Sequence, residues 1–281
     1  RAGRAGRLSE GKAYHLWHKS KILLKHDVPE ILLADLSQMV LELARWGNDE
    51  IDTLSWMDKP PSSAINHAKK LLQQLGALDE KGDITAHGIA MSRYGLHPRL
   101  AHMMLKAQTL GLAYEASLLA VLVSEKDIYR NALGSSDMRE RVSVLHDVAR
   151  KVAVDTQFIN LKQCQYLLAN AKRIEKVQKE TIDLEMLGIL MAFAYPDRIA
   201  KQRYEKNHSY LLSNAKGASL HKSDELFHAR FLVISDLDAR SKDAIIYKAI
   251  ELTQTQIEEH LQGQIQQSDE VDWNEEQQRV E

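Results

Sequence analysis

Between Ile31 and Trp46 the apolar residues Leu32, Leu36, Met39, Val40, Leu43 and Trp46 fall on one stripe, the spacing of an amphipathic helix that Gly47-Asn48 ends. Ile51-Asp-Thr-Leu-Ser-Trp56 and Asp58-Lys-Pro-Pro-Ser62 follow. Asp58 and Ser62 are competent N-caps, and the prolines open a helix without continuing one. The next helix carries its apolar face at Ile65, Ala68, Leu71, Leu72 and Leu75 and stops at Gly76. Ala77-Leu78-Asp79 and Gly82-Asp-Ile-Thr85 then predict a small β-hairpin around Glu80-Lys81-Gly82. Helix, helix, hairpin is the layout of a winged-helix domain, here about residues 27–97.

From Leu100 to about Tyr195 the pattern predicts helix throughout. Its stripes are Leu100, Met103, Met104, Ala107 and Leu110; Leu118, Leu119 and Leu122; Val142, Leu145, Val148 and Val152; Leu161, Leu168, Ala171, Ile174 and Val177; and Leu184, Leu187, Leu190 and Phe193. Such stripes are core, and no His/Glu pairing on them suggests a metal bundle. After Pro196 the period shortens. Ser209–Ser213, Phe227–Ser235 and Ala244–Ile250 are β-rich, separated by Asn214–Gly217 and Asp236–Arg240, which fits a small barrel such as an OB-fold. At the other end, Gly11–Trp17 is short and aromatic and reads as a strand; His15 on it and His18 just after it lack a nearby third metal ligand.

Composition changes this picture little. The chain of 281 residues is long enough for several cores, and no apolar run is long enough to span a bilayer. A single cysteine, Cys164, excludes an internal disulfide, fits a reducing cytoplasm and lies on an apolar stripe as a buried inert thiol. The net charge of −2 hides an asymmetry: eight acidic residues against Arg279 alone from Gln254 onward leave +5 over residues 1–253. That balance permits nucleic-acid binding without demanding it. The predicted second helix of the winged-helix region exposes Asn66, His67, Lys69, Lys70, Gln73 and Gln74, with no arginine to read a guanine edge. A structural wedge is the better reading of it.

The sharpest candidate chemistry opens the chain. In Arg1-Ala-Gly-Arg-Ala-Gly-Arg7, arginines recur every third residue, a spacing that lines guanidiniums along one edge of a helical turn. The intervening glycines admit a close backbone or nucleotide, and permanently charged planar forks suit a polyphosphate. A basic arm that touches phosphates without chemistry is the alternative.

The heptad resembles motif VI of superfamily 2 helicases in its DEAH-box form. Trp56-Met-Asp-Lys-Pro-Pro61, Leu71-Leu-Gln-Gln-Leu-Gly-Ala-Leu-Asp79 and Ile84-Thr-Ala-His-Gly-Ile-Ala-Met91 are similar to that family's winged helix, with Thr85, Gly88, Met91, Pro98 and Arg99 at its recurrent positions as structural residues. Leu96-His-Pro-Arg-Leu-Ala-His-Met103 looks most like the bacterial HrpB-type branch. The resemblance implies a mainly α chain: the end of a second RecA-like domain (1–26), a winged helix (27–97), a helical ratchet bundle (98–206) and an OB-like β domain (207–281), truncated because the chain reads as a fragment.

The resemblance further implies the C-terminal portion of a cytoplasmic, bacterial ATP-dependent 3′–5′ RNA helicase. Arg4 and Arg7 would be arginine fingers on the ATP γ-phosphate, with Arg1 in support. The bundle would line a channel for single-stranded RNA, with DNA as the alternative polymer. Arg130, Asn131, Arg139, Tyr210 and Phe231 are the candidate RNA contacts, with Arg141, Lys172, Arg173, Phe227 and Tyr247 as further surface candidates. Ser124-Glu-Lys-Asp127 matches an acidic turn of the branch and is assigned no chemistry. The chain has no GxxxxGKS/T loop and no Asp-Glu-x-His box, so ATP and Mg²⁺ belong to the full-length enzyme, whose upstream RecA-like domains are partners, and the fragment alone is expected to be inactive. A non-catalytic winged-helix module for nucleic acid or protein is the alternative function.

Overall fold

Asp35 decides where the first long helix begins. In a computed structural model, which describes residues 2–18, 20–21, 27–48, 51–130, 135–204, 207–238, 243–265, 273–274 and 279–280, a single 3-10 turn spans Glu30–Leu32. The α-helix itself runs only over Ser37–Trp46. The Asp35 carboxylate accepts from both the amide and the hydroxyl of Ser37, which breaks the helix predicted from Ile31. His97 and then these Ser37 bonds hold that carboxyl well below the usual range. Trp46, expected on the apolar stripe, is exposed.

Numbering helices in chain order after a short α1 (Ala2–Ala5), this is α2; α3 spans Ser62–Gln74 and α4 Ala86–Ser92. Neither Asp58 nor Ser62 caps α3; Pro61, fixed in extended backbone, precedes it and its carbonyl accepts from Ala64 and Ile65. Gly76 turns the chain left-handed (φ +69°), and the expected hairpin closes as one bridge, Leu78 to Ile84. Thr85 caps α4, accepting from Gly88 N and donating to Gly76 O. Any side chain at Gly88 would collide with the Ala77 carbonyl, its Cβ 2.3 Å away. Leu36, Val40, Leu72, Leu75, Leu78 and Met91 form the core of this region.

The helical region is interrupted, not continuous: α5 spans Pro98–Thr109, α6 Ala113–Ser124, α7 Met138–Ala149, α8 Leu161–Ile174 and α9 Leu187–Ala194. Asp137 and Asn160 restart the chain as side-chain caps of α7 and α8. Val152 and Val177, expected on stripes, lie exposed in the connections. Glu115, buried on α6, grips the last connection by accepting from Lys179 Nζ at 2.8 Å and from the Asp183 amide. Every residue of α9 is buried, because it packs against helices on one side and the β region on the other.

Among the described residues, five strands close a barrel: β1 Ile199–Gln202, β2 Ser209–Leu212, β3 Gly217–Ser219, β4 Phe231–Asp238 and β5 Asp243–Leu252. Around the barrel the order is β1-β2-β3-β5-β4, with β3 parallel to β5 and the other pairs antiparallel. The β region thus opens at Ile199, ahead of residue 207, and its strands close on one another by Leu252. Sequence reading missed β1 and β3, strands of four and three residues, too short to show a period. Gly188 on α9 sits so close to β5 that a Cβ there would be 2.4 Å from the Glu251 carbonyl. Val233, Ile250 and Leu252 therefore belong to the same core as the bundle.

Helix α10 (Gln254–His260) follows with a capping box from Thr253 and Gln256. Two-residue strands β6 (Trp273–Asn274) and β7 (Arg279–Val280) pair with each other, outside the barrel. Residues 11–17 form no strand. A strand needs a neighbour to take its backbone groups, and among the described residues nothing pairs with them.

Candidate functional site

The N-terminal arginines stand apart from the packed body. Arg4 lies in α1, which Ala5 ends, and Arg7 lies beyond it in a bend, so the two do not share one helical edge; Arg1 lies outside the described residues. Both side chains are exposed, and neither forms an ion pair among the described residues. Leu8, Tyr14, Leu16 and Trp17 beside them are exposed as well. Among the described residues the segment therefore presents two unpaired guanidiniums next to an exposed apolar edge, chemistry suited to an anionic group.

The second candidate is a cleft of about 700 Å³ between bundle and barrel, lined by Lys126, Tyr129, Arg130, His221, Tyr247 and Lys248 among others. The connection between α6 and α7 builds it by docking on β5. Asp137 bridges Ala249 in parallel, Ala249 N donates to Ser136 O at 2.9 Å, and Ser136 N donates to the buried Asp224 carboxylate at 2.8 Å. Lys248 donates to Leu122 O at 3.0 Å; burial pushes its ammonium below the usual value, while Asp127 and Asp236 pull the other way.

The expected cationic and polar RNA contacts divide, and among the described residues only Arg130 and Arg141 of them line this cleft. Arg130 is exposed, with Nε donating to Thr156 O at 3.3 Å, and Asn131 lies outside the described residues. Arg139 is engaged by Asp137 (2.8 Å) and Glu251 (3.3 Å). Arg141, expected at the surface, is buried: Asp127 accepts from its Nε at 2.9 Å and the Ser135 and Asp137 carbonyls from its Nη1. A guanidinium taken out of water needs such partners, so the acidic turn at Asp127 holds Arg141 and thereby the α6–α7 connection. Lys172 and Arg173 on α8 are exposed.

Tyr210 cannot stack a base. It points into the barrel at 0% exposure, with its hydroxyl donating to Leu226 O and Ala229 O. Strand alternation gave it an even chance of either face, and only the closed barrel assigns the inner one. Phe231 is half-buried against the bundle core, with the Arg230 guanidinium 5.4 Å from its ring centre. Phe227 is half-buried and Tyr247 exposed. The cleft residues Lys126, His221 and Lys248 were not singled out from sequence; each is an isolated polar residue whose place emerges only when the α6–α7 connection meets the barrel.

Cys164 is buried, and burial raises its thiol above the usual value. His15 stacks on Trp17, and His18 bonds to Ser20. Among the described residues no group of three or more His, Cys, Asp or Glu could hold a metal ion, and no helix is long and apolar enough to cross a membrane.

Residues 70–96 match a family described as the helicase associated domain (HA2), winged-helix. Over 278 residues, the chain is 33% identical to the ATP-dependent RNA helicase HrpB of Escherichia coli, covering 98% of this chain and 32% of that protein. It is 34% identical over 145 residues to a probable ATP-dependent RNA helicase, DHR2, of Saccharomyces cerevisiae, covering 51% of this chain and 20% of that one. Two crystal structures of E. coli HrpB, described as a DExH-box NTPase and a DEAH/RHA helicase, align over 100% of this chain and 33% of theirs, with TM-scores of 0.73 and 0.74 at 32% and 31% identity. The chain thus spans about a third of the length of HrpB.

Proposed function

We propose that this chain, an HrpB-like DEAH-box helicase C-terminal region, serves an ATP-dependent RNA helicase by completing its nucleotide site and guiding a single strand. The observation that carries the reading is likeness to HrpB over 98% of the chain. Arg4 and Arg7, exposed and without an ion pair among the described residues, fit the charge of a γ-phosphate, and they would stabilise the negative charge that builds on it as the phosphoryl group leaves. ATP bound with Mg²⁺ supplies the phosphoryl group and its charge neutralisation. The chain has no phosphate loop, and its described residues hold no metal-binding cluster, so the rest of that site comes from other parts of the helicase.

In this reading residues 1–26 finish the second RecA-like domain, 27–97 are the winged helix, and the following helices are the ratchet bundle. The barrel that opens at Ile199 is the OB-like domain. Lys126, Arg130 and Tyr247 in the bundle–barrel cleft contact the strand, and movement runs 3′ to 5′.

The test is ATP turnover by the helicase that contains this chain, with and without single-stranded RNA. Arg7→Ala should lower RNA-stimulated turnover by about 10³-fold or more while RNA binding persists. Turnover indifferent to Arg4 and Arg7, or stoichiometric turnover by the isolated chain, would overturn the finger assignment and favour a winged-helix binding module.

A further inference from the structure

Beneath the connection from α8 to α9 lies a cavity that the proposed nucleotide and strand contacts do not use. It holds about 230 Å³, walled by Tyr114 and Leu118 of α6, Ala149 at the end of α7, and Leu168 and Ala171 of α8. Lys176, Val177 and Gln178 of the connection close the remaining side. Leu118 and Ala171 are buried, so the floor is apolar, while Val177 is 66% exposed, so the cover is thin. An apolar void leaves its lining short of van der Waals partners, and one of about 150 Å³ already admits a benzene ring.

The cover is strapped down by consecutive residues. Lys179 Nζ donates to the buried Glu115 carboxylate and to Gly111 O, both at 2.8 Å. The Glu180 carbonyl can only accept, so it takes the Nε2 proton of neutral His146 at 3.1 Å and leaves Nδ1 to accept from the Tyr114 hydroxyl at 3.2 Å. Burial raises the pKa of that phenol; the Gln178 side chain bonded to it pulls the other way, and Glu115 adds to the rise. Tyr114 is thus held as a neutral wall, and the cavity is formed before anything enters it.

The mouth is cationic. Lys172, in the last turn of α8, and Lys176, just beyond it, line the cavity and are exposed. Neither forms an ion pair among the described residues. Arg173 is exposed too, as are Arg150 and Lys151 directly after the lining Ala149. Glu175, the acid of the lining, turns its carboxylate back onto the Val177 amide at 2.8 Å. The carbonyl ends of α7 and α8 oppose an anion by about half a charge each, less than these cations attract it.

We propose that this cavity is a binding site for a small aromatic carboxylate. One ring sits on Leu118, Leu168 and Ala171, and its carboxylate meets Lys172 and Lys176 at the mouth. Apolar walls with a few placed polar groups, between the helices of a bundle, are the usual setting for such a ligand. The assignment goes beyond the helicase reading and does not depend on it.

The experiment titrates benzoate, with benzyl alcohol as the uncharged control, into the 281-residue chain and reads methyl signals by NMR. Benzoate should bind with a Kd of about 0.1–1 mM, the range that ligand efficiency sets for so small a molecule, and shift Leu118, Leu168 and Val177. Benzyl alcohol should bind about 3–10-fold more weakly, and Lys172→Ala combined with Lys176→Ala should remove that difference. Ala149→Leu, which fills the cavity from its half-buried edge, should abolish binding, and thermal melting without ligand confirms that the variant is folded. Absence of benzoate binding, or binding that survives in folded Ala149→Leu, overturns the site. Equal affinity for benzyl alcohol overturns the carboxylate assignment. None of these outcomes bears on the arginine fingers, which Arg7-dependent turnover decides separately.

Discussion

Arg99 and Asp197 lie 98 residues apart and share a two-pronged ion pair, Nη1 to Oδ1 at 2.5 Å and Nη2 to Oδ2 at 2.9 Å. Arg99 also donates to Ala194 O, and the Tyr195 ring lies 5.0 Å from the guanidiniums of both Arg99 and Arg198. One buried fork therefore ties the start of α5 to the chain leaving α9 for the barrel. Arg99→Ala strands Asp197 and empties a buried site, and should cost about 3 kcal/mol of stability. Arg99→Lys should recover only part of it, since an ammonium cannot reproduce the planar fork. Urea unfolding of both variants checks this; equal stability to wild type would show the pair to be dispensable.

Gly188→Ala tests the bundle–barrel contact. The new Cβ would lie 2.4 Å from the Glu251 backbone carbonyl, which cannot swing aside as a side chain would. Overpacking of this kind costs about 1–3 kcal/mol. If α9 and β5 share one core, calorimetry should show a lowered but still single transition. A second transition appearing with the first unmoved would mean that bundle and barrel unfold separately.

Tyr210→Phe separates structure from binding at the barrel. The substitution removes a buried hydroxyl and takes the tyrosine donor from the Ala229 carbonyl, while Leu226 O keeps the Ala229 amide, so stability should fall by about 1–3 kcal/mol. RNA affinity, measured at a temperature where the variant is folded, should match wild type. A selective loss of affinity would contradict the burial of this ring.

His102 makes stability depend on pH. Its Nδ1 lies 2.8 Å from His87 Nε2, and chiefly burial, with His87 and Lys106, pushes its pKa down to about 3. His87 is lowered too, by burial and then Lys106. The folded state thus resists a proton that the unfolded chain accepts near pH 6.5. Stability from this site is complete above that pH and is lost progressively as pH falls toward 3. For His102 the loss amounts to at most about 2 kcal/mol by pH 5. The urea midpoint should therefore drop between pH 7 and 5, and His102→Gln should flatten the drop. Parallel pH profiles for wild type and variant would exclude His102 as its source.

Much of the fold was legible in local sequence because local sequence contains its causes. The stripe Ile65, Ala68, Leu71, Leu72 and Leu75, the stop at Gly76, the pinch at Gly88 and the proline that starts α5 each act within a turn or two of the chain. The heptad Arg1–Arg7 and the phosphate-ready chemistry it suggests are likewise contained in seven consecutive residues. Periodicity also separated a helical middle from a β-rich end.

Tertiary structure decided the matters in which the partner is remote. Tyr210 and Tyr247 look alike in sequence, yet barrel closure buries one and exposes the other. Arg139, Arg141 and Arg130 fall within twelve residues, but Glu251, 112 positions from Arg139, and Asp127 engage the first two and leave the third exposed. Periodicity reports which side of an element is apolar; it carries no information about which distant carbonyl, carboxylate or ring meets that side. Local sequence placed the apolar stripe of α3, its stop at Gly76 and the three-residue spacing of the opening arginines. Only long-range packing chose which cations and rings remain free to touch a ligand, because burial and pairing are properties of the whole fold.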